Sequence, residues 1–248
     1  MKKVIAFIAI ICATVIAQAQ DQKHVVLISI DGLRPEFYMD PSWGMVNIRL
    51  AMKNGTYAEG LRGSFPSVTY PSHTTIVSGV APAKHGIYYN TPVEPLGISG
   101  KWFWYYKDIK VPTIWTAAKD AGLKTAGVSW PVTVGAPISY NLPEYVILPK
   151  NKGEKKDEIK ALAQESYPKE LYQEIQDYAV GQFAPYGGGF DYYNSDQNKS
   201  RAAAYLIQRY KPAFLALHIA LLDHFEHEQG RDGDKVRVAV ANADIAVK

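Results

Sequence analysis

Short unbroken apolar runs alternate along this chain with longer segments of helical period. Residues 24–30 (HVVLISI) are a continuous β-branched run, as expected of a strand buried on both faces, and Asp31 and Gly32 end it. Residues 43–53 read as a helix closed by Asn54 and Gly55, and residues 56–62 as a strand leading into the next helix. That helix begins near Thr69. It tolerates Pro71 in its first turn, holds Ile76 and Val77, and stops at Gly79. Residues 112–120 (PTIWTAAKD) predict a short helix stopped at Gly122, and residues 124–130 (KTAGVSW) the strand after it. Residues 151–158 are a charged, solvated stretch, and residues 165–179 and 196–210 read as helices. Residues 212–222 (PAFLALHIALL) form a second continuous apolar run. Residues 232–248 read as an amphipathic helix with Val236, Val240 and Ala243 on one face. Strands alternating with helices predict an α/β fold with a mainly parallel sheet flanked by helices on both faces.

There is no internal repeat and no Gly/Ser linker, so a single domain is expected. The last helical pattern reaches Lys248 without a cap or stop signal, which reads as a domain incomplete at its C-terminus. Such a sheet is expected to leave an open edge and uncovered apolar helix faces, and hence to aggregate when expressed alone.

The first 19 residues change the compartment. Lys2 and Lys3 precede an apolar run over residues 4–16, and Ala17-Gln18-Ala19 is a cleavage pattern, so residues 1–19 read as an export signal. The mature chain, residues 20–248, is then expected in the periplasm or outside the cell, without a membrane anchor. Cys12, the only cysteine, lies within that signal, which excludes disulfides, a thiol nucleophile and thiolate metal ligands from the mature chain. The formal charge of +3 falls to +1 without Lys2 and Lys3, so long nucleic acids are not expected partners. The chain has 17 tyrosines and 5 tryptophans, with aromatic clusters at residues 102–106 and 186–193, as packed loops or as a platform for a ligand.

Candidate chemistry lies at strand ends, where open parallel sheets bind ligands. Asp31 follows the first run. Thr69 follows the strand expected over residues 56–62, at a helix start where free N–H groups favour an anion. Asp223 follows FLALHIALL, and His227, four residues on, shares its face if the segment is helical. A carboxylate and an imidazole so spaced can bind one divalent metal, zinc foremost. Each group taken singly has an ordinary reading. Thr69 is a helix cap, Asp31 a turn residue, and Asp223 and His227 are surface groups like His224, Glu226 and Glu228 beside them. Their convergence on one sheet edge is what points to a site.

ISIDGLRPEF, FPSVTYPSHTTIVSGVAPAKHGIYYN, VPTIWTAAKDAGLKTAGVSWP and LLDHFEHEQG together resemble the alkaline phosphatase superfamily, and most of all its nucleotide pyrophosphatase/phosphodiesterase branch. The resemblance implies an alkaline-phosphatase-like fold and two zinc ions bridged by the reacting phosphate. It implies that Asp31 and Thr69 hold one zinc and Asp223 and His227 the other, that Thr69 is the nucleophile and forms a covalent intermediate, and that Asn90 hydrogen-bonds a phosphate oxygen. A small phosphodiester, of nucleotide type, is the implied substrate. The family's further Asp-His pair and final His have no match, because no histidine follows His227. Residues 1–248 alone are therefore expected to bind zinc poorly and to be inactive.

Related chemistries are separable. A sulfatase would need Cys or Ser in a C-x-P-x-R setting, which the mature chain lacks. Phosphomonoesterases add a Lys-x-Arg pair for the dianion, and the corresponding residues 129–137 (SWPVTVGAP) hold no base. Diesterase is favoured on that ground. A monoesterase, a lipid-headgroup diesterase and a non-catalytic binding protein on the same fold are the alternatives.

Overall fold

The computed structural model describes residues 23–95, 100–148, 158–181 and 191–248. The proposed export signal, most of the charged stretch at 151–158 and most of the aromatic cluster at 186–193 lie outside the described residues. Among the described residues there are four strands: β1 Val25–Ile30, β2 Thr125–Val128, β3 Tyr140–Leu142 and β4 Phe214–Ile219. Ten α-helices accompany them: α1 Pro35–Met39, α2 Val46–Asn54, α3 Thr69–Ser78, α4 Pro82–His85, α5 Ile114–Asp120, α6 Glu158–Glu165, α7 Leu171–Ile175, α8 Asp191–Tyr210, α9 Leu221–Gln229 and α10 Asp234–Ala246.

The strands form one sheet in the order β1-β4-β2-β3, and every pairing is parallel. Alternate side chains of the sheet enter two different cores. Ala126, Val128, Leu215, Leu217 and Ile219 pack with Leu206 of α8, Phe225 of α9 and Val240 of α10. Phe214, Ala216 and Leu27 point the other way, onto Val77 of α3, Trp115 of α5 and Trp130. The sheet thus has helices on both faces, and its central strand β4 is buried throughout.

Two sequence expectations are corrected. Residues 56–62 form no strand; they run as exposed, irregular chain with Leu61 89% exposed. Gly60 interrupts the run, and among the described residues no neighbouring strand offers the ladder that β-structure needs. Thr69 therefore enters its helix from a loop. The run at 24–30 is also not buried on both faces: Val25 is 56% exposed and Val26 45%. Its strand lies at the sheet's edge, with β4 its only partner among the described residues. The short strand β3 and helix α6 were not read from the sequence.

Register positions the site. Ile30 pairs with Ile219 and Val128 with both Leu217 and Leu142, so the carboxyl ends of all four strands lie along one edge. Asp31 N–H continues the ladder by donating to Ile219 O at 2.8 Å. Asp31, Ser129, Glu144 and the start of α9 follow directly from those four ends.

Candidate active site

Thr69 is the first residue of α3, and the capping position falls to Val68. Its hydroxyl does not cap the helix. Thr69 Oγ1 donates to Asp31 Oδ2 at 3.0 Å, across a turn set by strand β1. Gly79, at φ +70°, closes the helix as its sequence position requires. Asn90 also converges here. Its Oδ1 accepts the Tyr70 N–H at 2.9 Å, which leaves the Asn90 N–H₂ to serve as a donor at the start of the helix.

Asp223 and His227 lie one turn apart on α9, with His227 Nε2 3.5 Å from Asp223 Oδ2. Glu226 instead bonds Arg34 at 2.7 Å, and His224 pairs with Glu228 at 3.0 Å. The Asp31–Gly32 turn is pressed against this helix. Gly32 adopts φ +75°, and a Cβ there would fall 2.9 Å from Asp223 Cα and against Glu226 Oε2. Burial, then the negative charge of Asp31, pushes the Asp223 carboxyl above the usual carboxylate range. The two acids sense one another, and a cation between them would relieve the repulsion. The donor chemistry, carboxylate, hydroxyl and imidazole oxygens and nitrogens, fits a divalent metal. It comes as two pairs, and among the described residues no three His, Cys, Asp or Glu side chains stand close enough to hold an ion.

A buried polar cluster underlies the Asp31–Thr69 pair. His218, the penultimate residue of β4, places Nε2 3.4 Å from Asp31 Oδ2, and its Nδ1 faces Ser129 O at 3.1 Å and Glu144 Oε2 at 3.4 Å. Acceptors at both nitrogens suit the imidazolium. Burial opposes that charge, but the hydrogen bonds and charges of Asp31 and Glu144 outweigh it and push His218 up to about 9. For Asp31 burial acts upward, while His218, His73 and the Thr69 hydroxyl together hold its carboxyl down to about 2. His73, on α3, donates from Nδ1 to Thr69 O at 2.7 Å and accepts the Ser29 hydroxyl at Nε2 at 2.8 Å. Burial and the His218 charge push it down to about 4, so it stays neutral. Tyr70 OH donates to Glu144 Oε1 at 3.0 Å and closes the cluster. A pocket of about 180 Å³ adjoins it, lined by Ser129, Glu144, Asn198 and Lys199 among others.

The aromatic segment at 102–106 is largely packed: Trp104 is buried against Tyr145, while Trp102 sits edge-on to Tyr70 and is 36% exposed.

Comparison with known proteins bears on this edge as a whole. The family described as type I phosphodiesterase/nucleotide pyrophosphatase matches residues 25–248. The chain belongs to that family. Among curated relatives, the human ectonucleotide pyrophosphatase/phosphodiesterase family member 1 is 34% identical over 113 residues, 43% of this chain and 12% of the relative. The venom phosphodiesterase of Naja atra is 32% identical over 116 residues, 45% of this chain and 14% of the relative. Of solved structures, murine ectonucleotide pyrophosphatase/phosphodiesterase 5, in an inactive form in complex with AMP, aligns with a TM-score of 0.60 at 17% identity. Phosphonoacetate hydrolase from Sinorhizobium meliloti 1021, in complex with phosphonoformate, aligns with a TM-score of 0.56 at 19% identity. Both alignments cover 91% of this chain, and 50% and 52% of the other chains. At those identities they establish the shared fold. The chain spans about half the length of these structures and a smaller part of the curated relatives.

Membership of the phosphodiesterase family does not by itself single out His218, Glu144, His73 or Ser29, which sequence reading passed over. His218 and Ser29 sit inside runs that read as plain strand, and His73 inside a helix. A histidine in an otherwise apolar nine-residue run was the available signal.

Proposed function

We propose that the protein hydrolyses small phosphodiester or pyrophosphate substrates of nucleotide type, in two zinc-dependent steps through a covalent Thr69 intermediate. The observation that carries this reading is the 3.0 Å hydrogen bond from Thr69 Oγ1 to Asp31 Oδ2 at the first turn of α3. In the first step the Thr69 hydroxyl gives its proton to solvent, its oxygen bonds to phosphorus, and the ester bond to the leaving group breaks. The leaving oxygen takes up a proton from solvent. Water then attacks the phosphorus, the Thr69–phosphorus bond breaks, and Thr69 regains its proton. The Asn90 N–H₂, oriented through Tyr70 N–H, donates to the oxygen on which charge develops. Asp31 with Thr69 and Asp223 with His227 would each hold a zinc ion. Bound zinc supplies a lowered hydroxyl pKa and stabilisation of the leaving oxygen.

Family membership and the names of the curated relatives support a diesterase, and the AMP bound to a structural neighbour supports a nucleotide substrate. The absence of a basic residue over 129–137 supports a diester over a dianionic monoester. Relatives named as ectoenzymes and as a venom enzyme support export, as does the leader pattern of residues 1–19. Residues 20–248 then form the N-terminal portion of one catalytic domain.

The test is hydrolysis by the full-length protein of the p-nitrophenyl ester of a nucleoside monophosphate, compared with p-nitrophenyl phosphate, before and after chelation. Preference for the diester, loss on chelation, recovery with zinc and abolition in a folded Thr69→Ala variant are expected. Preference for the monoester would sink the substrate assignment, and activity in Thr69→Ala the nucleophile.

A further inference from the structure

We propose that His218 is a positioning residue for Asp31, itself fixed by Glu144 and the Ser129 carbonyl, so that Asp31 presents one carboxylate oxygen to the metal; the inference rests on the Thr69 reading above. His218 is the one polar residue in β4, FLALHI, a strand buried on both faces. A buried imidazole facing two carboxylates carries a desolvation penalty that an apolar residue avoids, so a purely structural role does not account for it.

The geometry specifies what the imidazole does. Thr69 Oγ1 and His218 Nε2 both contact Oδ2 of Asp31, at 3.0 and 3.4 Å. Two contacts on one oxygen fix the carboxylate's rotation and leave Oδ1 to face a ligand. His218 is fixed in its turn from three sides. Ser129 O lies 3.1 Å from Nδ1, Glu144 Oε2 lies 3.4 Å from it, and the His73 ring packs edge-on with centroids 4.4 Å apart. Ser129 reaches that position with φ +55°, in the left-handed region that a serine adopts only at some cost. Glu144 is anchored by Tyr70 OH and His73 by Thr69 O, so both braces lead back to the helix turn that carries the nucleophile. This is the arrangement by which hydrogen-bonding neighbours orient metal-binding carboxylates and raise affinity.

The test uses the full-length protein as wild type, His218→Phe, His218→Gln and Glu144→Gln. Zinc affinity is read by chelator competition, kcat and KM on the nucleoside monophosphate ester, and folding by circular dichroism. His218→Phe is expected to lower zinc affinity and kcat by about 10–100-fold, with KM little changed. Its kcat should recover as zinc is raised, which a merely structural role would not produce. Glu144→Gln should show a smaller loss of the same kind. If His218→Phe does not fold, His218→Gln and Glu144→Gln decide by the same readouts. Wild-type zinc affinity and kcat in a folded variant overturn the proposal, as does a loss that zinc cannot restore. A wild-type protein that binds no zinc or leaves the diester uncut overturns the Thr69 reading, and this proposal with it.

Discussion

The Asp196 carboxylate accepts the backbone N–H of Leu221 at 2.9 Å, and so caps α9, the helix that carries Asp223 and His227. The N–H of Ala220 also reaches it, at 3.3 Å, and Lys199 Nζ pairs with its other side at 3.3 Å, with both side chains buried. A side chain on α8 thereby sets where the second candidate ligand pair begins. Asp196→Ala removes the cap and the buried partner of Lys199 together. A loss of about 3–5 kcal/mol in urea denaturation is expected from breaking this buried ion pair on one side. Asp196→Asn keeps an acceptor and should lose less. Equal losses in the two variants would remove the charge from the explanation.

Asn90 and Tyr70 give a second prediction. Asn90→Asp preserves the acceptor for Tyr70 N–H but replaces the N–H₂ donor with negative charge. A fall in kcat of about 10²–10³, with stability close to wild type, is expected of a lost oxyanion donor. Asn90→Ala should lose stability as well, because the 2.9 Å bond between Tyr70 N–H and the Asn90 side chain goes with it. Undiminished kcat in Asn90→Asp would take Asn90 out of the reaction.

The close approach at Gly32 yields a third. Gly32→Ala meets a positive φ, the Asp223 backbone and the Glu226 carboxylate at once, so α9 must move away from Asp31. A loss of about 1–3 kcal/mol in stability is expected from the strained backbone alone. Activity should fall further than the drop in folded fraction explains, because the two candidate ligand pairs are driven apart. Full activity at permissive temperature would show that their separation is not critical.

The two buried histidines predict opposite pH limbs in metal-free protein. His73 is pushed down to about 4, so the unfolded chain binds the proton first; its stabilisation is complete above 6.5 and is lost as pH falls toward 4. His218 is pushed up to about 9, so its contribution is complete below 6.5 and is lost as pH rises through 9. Each limb spans on the order of 3 kcal/mol. Urea midpoints should therefore peak near pH 6.5. His73→Phe should flatten the acid limb and His218→Phe the alkaline one. A flat profile across pH 4–9.5 in the wild type would contradict both assignments.

Local signals in the sequence determined a good part of this protein. An apolar run ending in Asp31 makes a strand, Pro71 and Gly79 bracket the Thr69 helix, and the four-residue spacing of Asp223 and His227 puts them on one helix face. These features depend on neighbours within a turn or two, so periodicity and backbone preference reveal them. Only the tertiary structure decided the rest. The residues at 56–62 have strand-like composition but no partner strand, and the run at 24–30 is half-exposed because sheet order puts it at an edge. His218 meets Asp31 across 187 residues and Ser129 across 89, and Glu144 reaches Tyr70 across 74. Hydrogen bonds over such separations are set by parallel register, which closes long loops and leaves no periodic trace in the chain. The sequence thus placed Asp31 and Asp223 after strands and Thr69 at a helix start. The sheet decided which buried neighbours hold them.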